Sequence, residues 1–247
     1  MSRSPVTIRL GCAGWSLPRA AWPLFPAEGS HLERYAARLN AVEINSSFYR
    51  PHQPQTYAKW AASVPAGFSF SVKLPKTITH EKRLKDCEAL LDGFLSQAGG
   101  LGSKLGCMLV QLPPSLALDE EVARHFLKTL RARTACAVAL EARHASWFTP
   151  QADALMAGAR VGRVLADPVL FDAGRQPGGH AKTVYVRLHG SPRMYYSAYP
   201  RKVLDALAVR LEIAAASDAE VWCIFDNTAS GAATEDAMYT ARMCGKF

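Results

Sequence analysis

Eight short apolar runs with β-type composition, each followed by a stretch with helical spacing, constrain this chain more than any other feature. They are Ile8–Ala13, Ala41–Asn45, Phe68–Leu74, Gly106–Gln111, Cys136–Glu141, Arg163–Asp167, Val184–His189 and Val221–Asn227. The runs are nearly continuous in apolar residues instead of alternating. That is the pattern of strands buried on both faces, and strands that alternate with helices belong to a parallel sheet. Eight such units in 247 residues fit a single closed α/β barrel, because an open doubly wound sheet usually stops at about five to seven strands. The expected fold is therefore one TIM-type (β/α)8 barrel domain over residues 1–247, with its site at the carboxyl ends of the strands.

The helical stretches carry start signals. Ser30 precedes HLERYAARL, Asp119 precedes EEVARHFLKTL, and Thr149-Pro150 sets a capping hydroxyl before a proline at the first helical position. PQTYAKWAASV opens on Pro54, and Arg201–Ala216 and Ala232–Met243 supply the last two helices. A long helix is expected from about His80 to Ser96.

Composition excludes several classes. The chain is 49% hydrophobic and 20% charged, as in an ordinary globular protein. Its start, MSRSPVTIRLGCAGW, has no apolar leader, and no apolar run approaches the roughly 18 residues of a membrane span. Its six cysteines show no CxxC and no metal-finger spacing, which suits reduced core thiols and a cytoplasmic protein with no membrane role. A net charge of +8 favours anionic partners, although no block of five like charges forms a basic tail. Oligomeric state leaves no mark on the sequence.

The strand ends are more informative than the strands. Residues two apart share a face of a strand. Glu43 and Asn45 end the second run; Ser69, Ser71 and Lys73 share a face of the third; Gln111 ends the fourth. Glu141 and Arg143 end the fifth, Asp167 the sixth, Tyr185, Arg187 and His189 line the seventh, and Asp226-Asn227 close the eighth. Turn residues are mostly small, whereas these are Glu, Lys, Arg and His. In a barrel all such ends meet on one rim. Ion pairs that merely satisfy one another would give the same pattern, but desolvated pairs rarely stabilise more than apolar packing does.

At these positions the chain resembles the bacterial "domain of unknown function 72" or YecE-like family. The matching stretches are GCAGWS (11–16), AVEINSSFYR (41–50), FSFSVKLPKTITH (68–80), LGCMLVQLPPS (105–115), EARHASW (141–147), YVRLHG (185–190) and FDNTASGAA (225–233). The resemblance implies a TIM-type barrel and a shared site, with no reaction attached. The family usually has two asparagines where this chain has Asp226-Asn227, so the added carboxylate changes the charge expected there.

The residues predict the following chemistry. Lys73, Arg143 and Arg187 would aim positive charge at one rim, where guanidinium groups bind phosphate or carboxylate bidentately. Ser230 and Gly231 in NTASGAA would add N–H donors at a helix start, the usual phosphate position of barrels. Glu141 is expected as a base, His189 as an acid, and Arg143 and Arg187 as stabilisers of developing negative charge. Glu43, Asn45, Lys73, Gln111, Trp147, Asp167, Asn227, Ser230 and Gly231 are the expected substrate contacts. No cofactor motif is present. The rival arrangement is a divalent metal on Glu43, Glu141, Asp167, His189 and Asp226. The substrate expected is a small anion, sugar-like and phosphate- or carboxylate-bearing, that undergoes hydrolysis or isomerisation. Alternatives are a nucleic-acid-binding protein or repair-type phosphodiesterase, and a barrel that binds without turnover.

Overall fold

The sheet closes on itself. The computed structural model describes residues 8–245, and these form strands β1 (Ile8–Ala13), β2 (Ala41–Ile44), β3 (Ser69–Lys73), β4 (Leu105–Gln111) and β5 (Ala137–Glu141). They continue with β6 (Gly162–Arg163), β7 (Leu165–Asp167), β8 (Gly178–Gly179), β9 (Thr183–Leu188) and β10 (Glu220–Phe225). Neighbours run β7-β9-β10-β1-β2-β3-β4-β5-β6-β8, all parallel except the two-residue β6–β8 ladder.

Only Val164 separates β6 from β7, so one chain segment joins the two ends of this order. Gly162 and Arg163 lie opposite Ala139 and Leu140, while Leu165–Asp167 lie opposite Val186–Leu188. The sequence predicts a single sixth strand; the described residues divide it and add β8, giving ten strands. Strands of a barrel are staggered, and a short one meets its two neighbours at different heights.

Among the described residues eight α-helices accompany the strands: α1 (His31–Ala36), α2 (Ser46–Tyr49), α3 (Pro54–Ala62), α4 (Glu88–Ala98), α5 (Glu120–Arg131), α6 (Pro150–Gly158), α7 (Arg201–Ala216) and α8 (Ala232–Met243). The predicted caps form. Ser30 makes a reciprocal capping box with Glu33, and the side chains of Asp119 and Thr149 accept from Val122 N and Ala152 N. The long helix expected from His80 does not form. A π-helical turn at Thr77–Glu81 is followed by Arg83, Leu84 and Asp86 at positive φ, and α4 begins only at Glu88. Between β7 and β9 the chain makes no α-helix, only a 3-10 turn at Asp172–Gly174 and β8.

Two apolar cores fix which way each strand residue points. Ala41, Cys107, Leu109, Ala139, Val164, Tyr185, Trp222 and Ile224 fill the barrel. Val42, Ile44, Phe70, Val72, Met108, Val110, Leu140, Val186 and Phe225 pack outward under the helices. The rings of Tyr185 and Trp222 stack at 6.0 Å inside, and the Arg9–Glu220 ion pair (3.1 Å) lies below them with Arg9 over Trp222. No helix among the described residues is long and apolar enough to cross a membrane.

Candidate functional site

The interior parity continues upward from the apolar filling to a charged layer. In β10 it passes from Trp222 and Ile224 to Asp226, in β5 from Ala139 to Glu141, in β2 from Ala41 to Glu43, and in β9 from Tyr185 to Arg187. Alternation thus converts four buried strands into one convergent cluster.

Arg187 occupies its centre and is fully buried. Its Nε and Nη2 donate to Glu43 Oε2 and Oε1 at 3.0 and 2.6 Å, Nη1 donates to Glu141 Oε2 at 2.6 Å, and Nη2 also reaches Asp226 Oδ2 at 3.1 Å. One guanidinium therefore faces three carboxylates, an excess of negative charge that a site shut off from water does not tolerate unpaired. Arg143 supplies the second cation, with Nε and Nη2 donating to Glu141 Oε1 at 2.9 and 2.8 Å. His189 supplies the third. Its Nδ1 lies 3.0 Å from Asp226 Oδ2, and its Nε2 lies 3.3 Å from Glu141 Oε1 without the alignment of a hydrogen bond. The hydroxyl of Tyr185 donates into the same cluster, 2.8 Å from both Glu43 Oε2 and Ser71 Oγ.

These contacts set the protonation states. Burial pushes the Glu141 carboxyl up, but Arg187, His189 and Arg143 outweigh it and hold it well below the ordinary range. Asp226 is likewise raised by burial and brought down further by Arg187 and His189. Burial opposes charge on His189, yet its bond to Asp226 and the nearby Glu141 raise its pKa, so it is held as an imidazolium.

Lys73 differs from the other cations. Its side chain follows the inward face of β3 and is 7% exposed, and no carboxylate pairs with it. Its Nζ sits 4.1 Å above the centre of the Phe48 ring, whose edge also meets His80 at 5.0 Å. Burial, and then Arg187, lower its pKa to about 8. His80, in the π-helical turn, is lowered by burial and by the charges of Lys73 and Arg143, which puts it at the mouth as a neutral ring.

Several predicted site residues lie elsewhere. Val164 and Ala166 point into the barrel, so Asp167 faces away from it and accepts from the Tyr199 hydroxyl at 2.7 Å. Asn227 has the outward parity of Phe225; its Nδ2 donates to Ser197 O and to Asp236 Oδ2 at 2.9 and 2.8 Å. Trp147 is 1% exposed in the outer core with its indole N–H on Leu116 O, so it packs beneath loops. His144 caps the short turn after β5 by accepting from Ser146 N. Ser230 and Gly231 border a separate cavity of about 430 Å³ with Gly14, Ser16 and Thr234, at the start of α8. That helix has no side-chain cap and begins after Gly231 at φ +83°. Glu141, expected as a free base, has both oxygens engaged by guanidinium groups.

The carboxylates do not suit a metal. Arg187 already sits among Glu43, Glu141 and Asp226, Asp167 faces away, and no group of three metal-type ligands exists among the described residues.

The sequence aligns Ser71 with Lys73 and Tyr185 with Arg187 but assigns neither a role, and its HGSPRMYYS stretch sets Arg193 and two tyrosines beside the expected anion position without showing which of them meets the site. Tyr195 stands at φ +68° in the loop after β9, its ring edge-on to His189 at 5.7 Å. Loop residues have no periodicity from which such a placement is read.

A sequence profile described as "Protein of unknown function DUF72" matches residues 9–246. The chain belongs to the DUF72 family. It is 32% identical over 142 residues to the UPF0759 protein YecE of Escherichia coli K12, covering 57% of this chain and 50% of that one. The UPF0759 protein YunF of Bacillus subtilis is 29% identical over 149 residues, covering 58% and 53%. The matched region thus spans about half the length of these curated relatives. Two crystallised DUF72 proteins share the fold. The one from Enterococcus faecalis has a TM-score of 0.79 at 23% identity, covering 97% of this chain and 96% of its own. The one from Thermotoga maritima has 0.79 at 22%, covering 97% and 100%. DUF72 membership carries the barrel fold and names no reaction.

Proposed function

We propose that the barrel mouth binds a small anionic molecule, sugar-like and bearing a phosphate or carboxylate, and performs acid–base hydrolysis or isomerisation on it in the cytoplasm. One observation carries this reading. Asn45 Oδ1, Gln111 Oε1 and His189 Nε2, at the ends of β2, β4 and β9, are buried polar atoms with no hydrogen-bond partner. Native interiors leave few such atoms, and three at one rim beside Arg143 and Lys73 suit a bound polar ligand.

In this reading His189 is the acid, because its neighbours favour its charged form and its Nε2, 3.3 Å from Glu141 Oε1, makes no hydrogen bond. Arg143, the more open guanidinium with 18% of its side chain exposed, meets the anionic group. Glu141 holds Arg143 and Arg187 in place; a carboxylate so strongly held as an anion is a weak base. The uncapped start of α8, with Ser230 and Gly231, offers a second anion position.

The test is thermal stabilisation by inorganic phosphate and by glyceraldehyde 3-phosphate in the wild type, Arg143→Gln and His189→Gln. The reading expects stabilisation of the wild type and at least a tenfold weaker response in Arg143→Gln. Equal responses would refute it. Retention on DNA that weakens steeply with salt would favour the nucleic-acid alternative, which the basic loop Lys82, Arg83 and Lys85 supports.

A further inference from the structure

Among the described residues, Lys73 is the one cation of the mouth whose charge the cluster does not need. Three carboxylates, Glu43, Glu141 and Asp226, are balanced by Arg187, Arg143 and the His189 imidazolium. Lys73 adds a fourth positive group beside Arg187, 7% exposed, against an aromatic face and with no ion pair or hydrogen bond of its own. A structural lysine in such a place would take a carboxylate or a carbonyl oxygen as its partner. Here the amine is held by packing alone, at the carboxyl end of a barrel strand. Desolvation together with a neighbouring cation is an arrangement that makes a lysine amine nucleophilic.

We propose that Lys73 is a nucleophile that condenses with the carbonyl carbon of a small aldehyde or ketone carrying a phosphate or carboxylate, forming an imine. The inference rests on the anion-binding reading above and adds the reacting group of the substrate. The Lys73 nitrogen attacks with its lone pair, a C–N bond forms, and the carbonyl π electrons move to oxygen. That oxygen takes the proton of the His189 imidazolium. One of the two amine protons then moves to the new hydroxyl, the C–O bond breaks, water leaves, and the nitrogen lone pair closes the C=N bond. The nitrogen keeps its remaining hydrogen as an iminium, and nothing is oxidised or reduced. The positive charge has passed from His189 to Lys73, so the total charge of the buried cluster is unchanged. Lys73 and His189 both lie in the field of Glu141, and Lys73 also in that of Asp226, which binds His189. A migrating cation therefore stays compensated at each stage.

The groups facing Lys73 also shape the pH dependence. They are Arg187 on β9, Glu43 on β2, Glu141 on β5, Asp226 after β10 and His80 in the turn after β3. Burial and Arg187 bring the amine to about 8, so about a tenth is unprotonated at pH 7, far more than of a free lysine.

The experiment uses the full chain with glyceraldehyde 3-phosphate and sodium cyanoborohydride, which traps an imine as a stable secondary amine. Peptide mass spectrometry locates the adduct, and phosphate-free glyceraldehyde is run in parallel. The expected result is an adduct on Lys73 at least tenfold faster than on exposed lysines such as Lys82 and Lys85, rising through about pH 8. Lys73→Arg, which keeps the charge, should lose that adduct and leave the others. Equal labelling of Lys73 and the exposed lysines, or a rate unchanged in Lys73→Arg, would overturn the proposal. Fast labelling of Lys73 by both aldehydes alike would support the nucleophile and refute the anion site. Phosphate stabilisation without Lys73 labelling would refute the nucleophile and leave the anion site standing.

Discussion

Replacing Lys73 by methionine should make the protein more stable near neutral pH. The substitution keeps the length and apolar stem and removes the charge. Burial, then Arg187, bring the folded amine to about 8, against about 10.4 in an unfolded chain. Above the unfolded value both states are neutral and the lysine carries no electrostatic penalty. As pH falls, the unfolded chain takes up the proton first, and stability is lost until the folded amine is also protonated. Below about 8 the full penalty applies, about 3 kcal/mol at 1.4 kcal/mol per pKa unit. Lys73 is nearly buried, so solvent screening removes little of this. The lost attraction to Phe48 offsets about 1 kcal/mol. The net gain of about 2 kcal/mol corresponds to a rise in melting temperature of roughly 4–8 °C at this chain length. Melting curves by circular dichroism at pH 6, 7, 8 and 10 measure it. A gain at pH 6–7 that shrinks toward pH 10 is expected. A loss at neutral pH, or a difference that does not vary with pH, would refute the placement of a buried amine without an ion-pair partner.

Arg187→Met should lose about 3–5 kcal/mol in urea unfolding at pH 7, because it leaves carboxylates buried without their cation. Wild-type stability from the depressed Glu141 and Asp226 is present above the unfolded carboxylate range and lost as pH falls; in Arg187→Met the deficit should narrow toward pH 5. Asp236, raised chiefly by burial, accepts from Asn227 Nδ2 and Tyr199 N. Its favourable neutral form is fully present below the unfolded carboxylate range and lost as pH rises through the folded value, so Asp236→Asn should flatten that slope with little change in stability, whereas Asp236→Ala should lose about 1–3 kcal/mol. Trp222→Ala, which empties the barrel interior beside Tyr185, should lose about 3–5 kcal/mol in the same assay.

How much of this was legible depends on whether a strand alternates near its end. Glu43-Ile44-Asn45 and Tyr185-Val186-Arg187 alternate polar and apolar residues there, and the structure brings Glu43, Glu141, Arg187, His189 and Asp226 into one cluster with Lys73 beside it. The segment Val164-Leu165-Ala166-Asp167 is apolar at three successive positions, so nothing in it says which face Asp167 takes, and it took the outer one. Asn227 was grouped with Asp226 although neighbours on a strand oppose each other. The pairing of the charges was also hidden. Strand-end type shows which residues converge, but only geometry shows that Arg187 engages three carboxylates and that Lys73 engages none. The stretch from His80 to Asp86 reads as the start of a helix because its apolar spacing suits one, while three non-glycine residues at positive φ are set by packing that spans the fold.

The split sixth strand gives the barrel a seam. Seven of its eight strand positions are followed by a helix, but Gly162–Asp167 joins its two barrel neighbours by ladders of only two and three residue pairs, beside a two-residue ladder to β8, and is followed by turns. A ring resists opening only as well as its weakest joint. The amides of this segment should therefore exchange with solvent ahead of those in the other barrel strands, by openings that leave the rest of the hoop intact. Because β9 carries Arg187 and borders that joint, a brief parting there would bring water to the back of the charged cluster without the mouth ever opening.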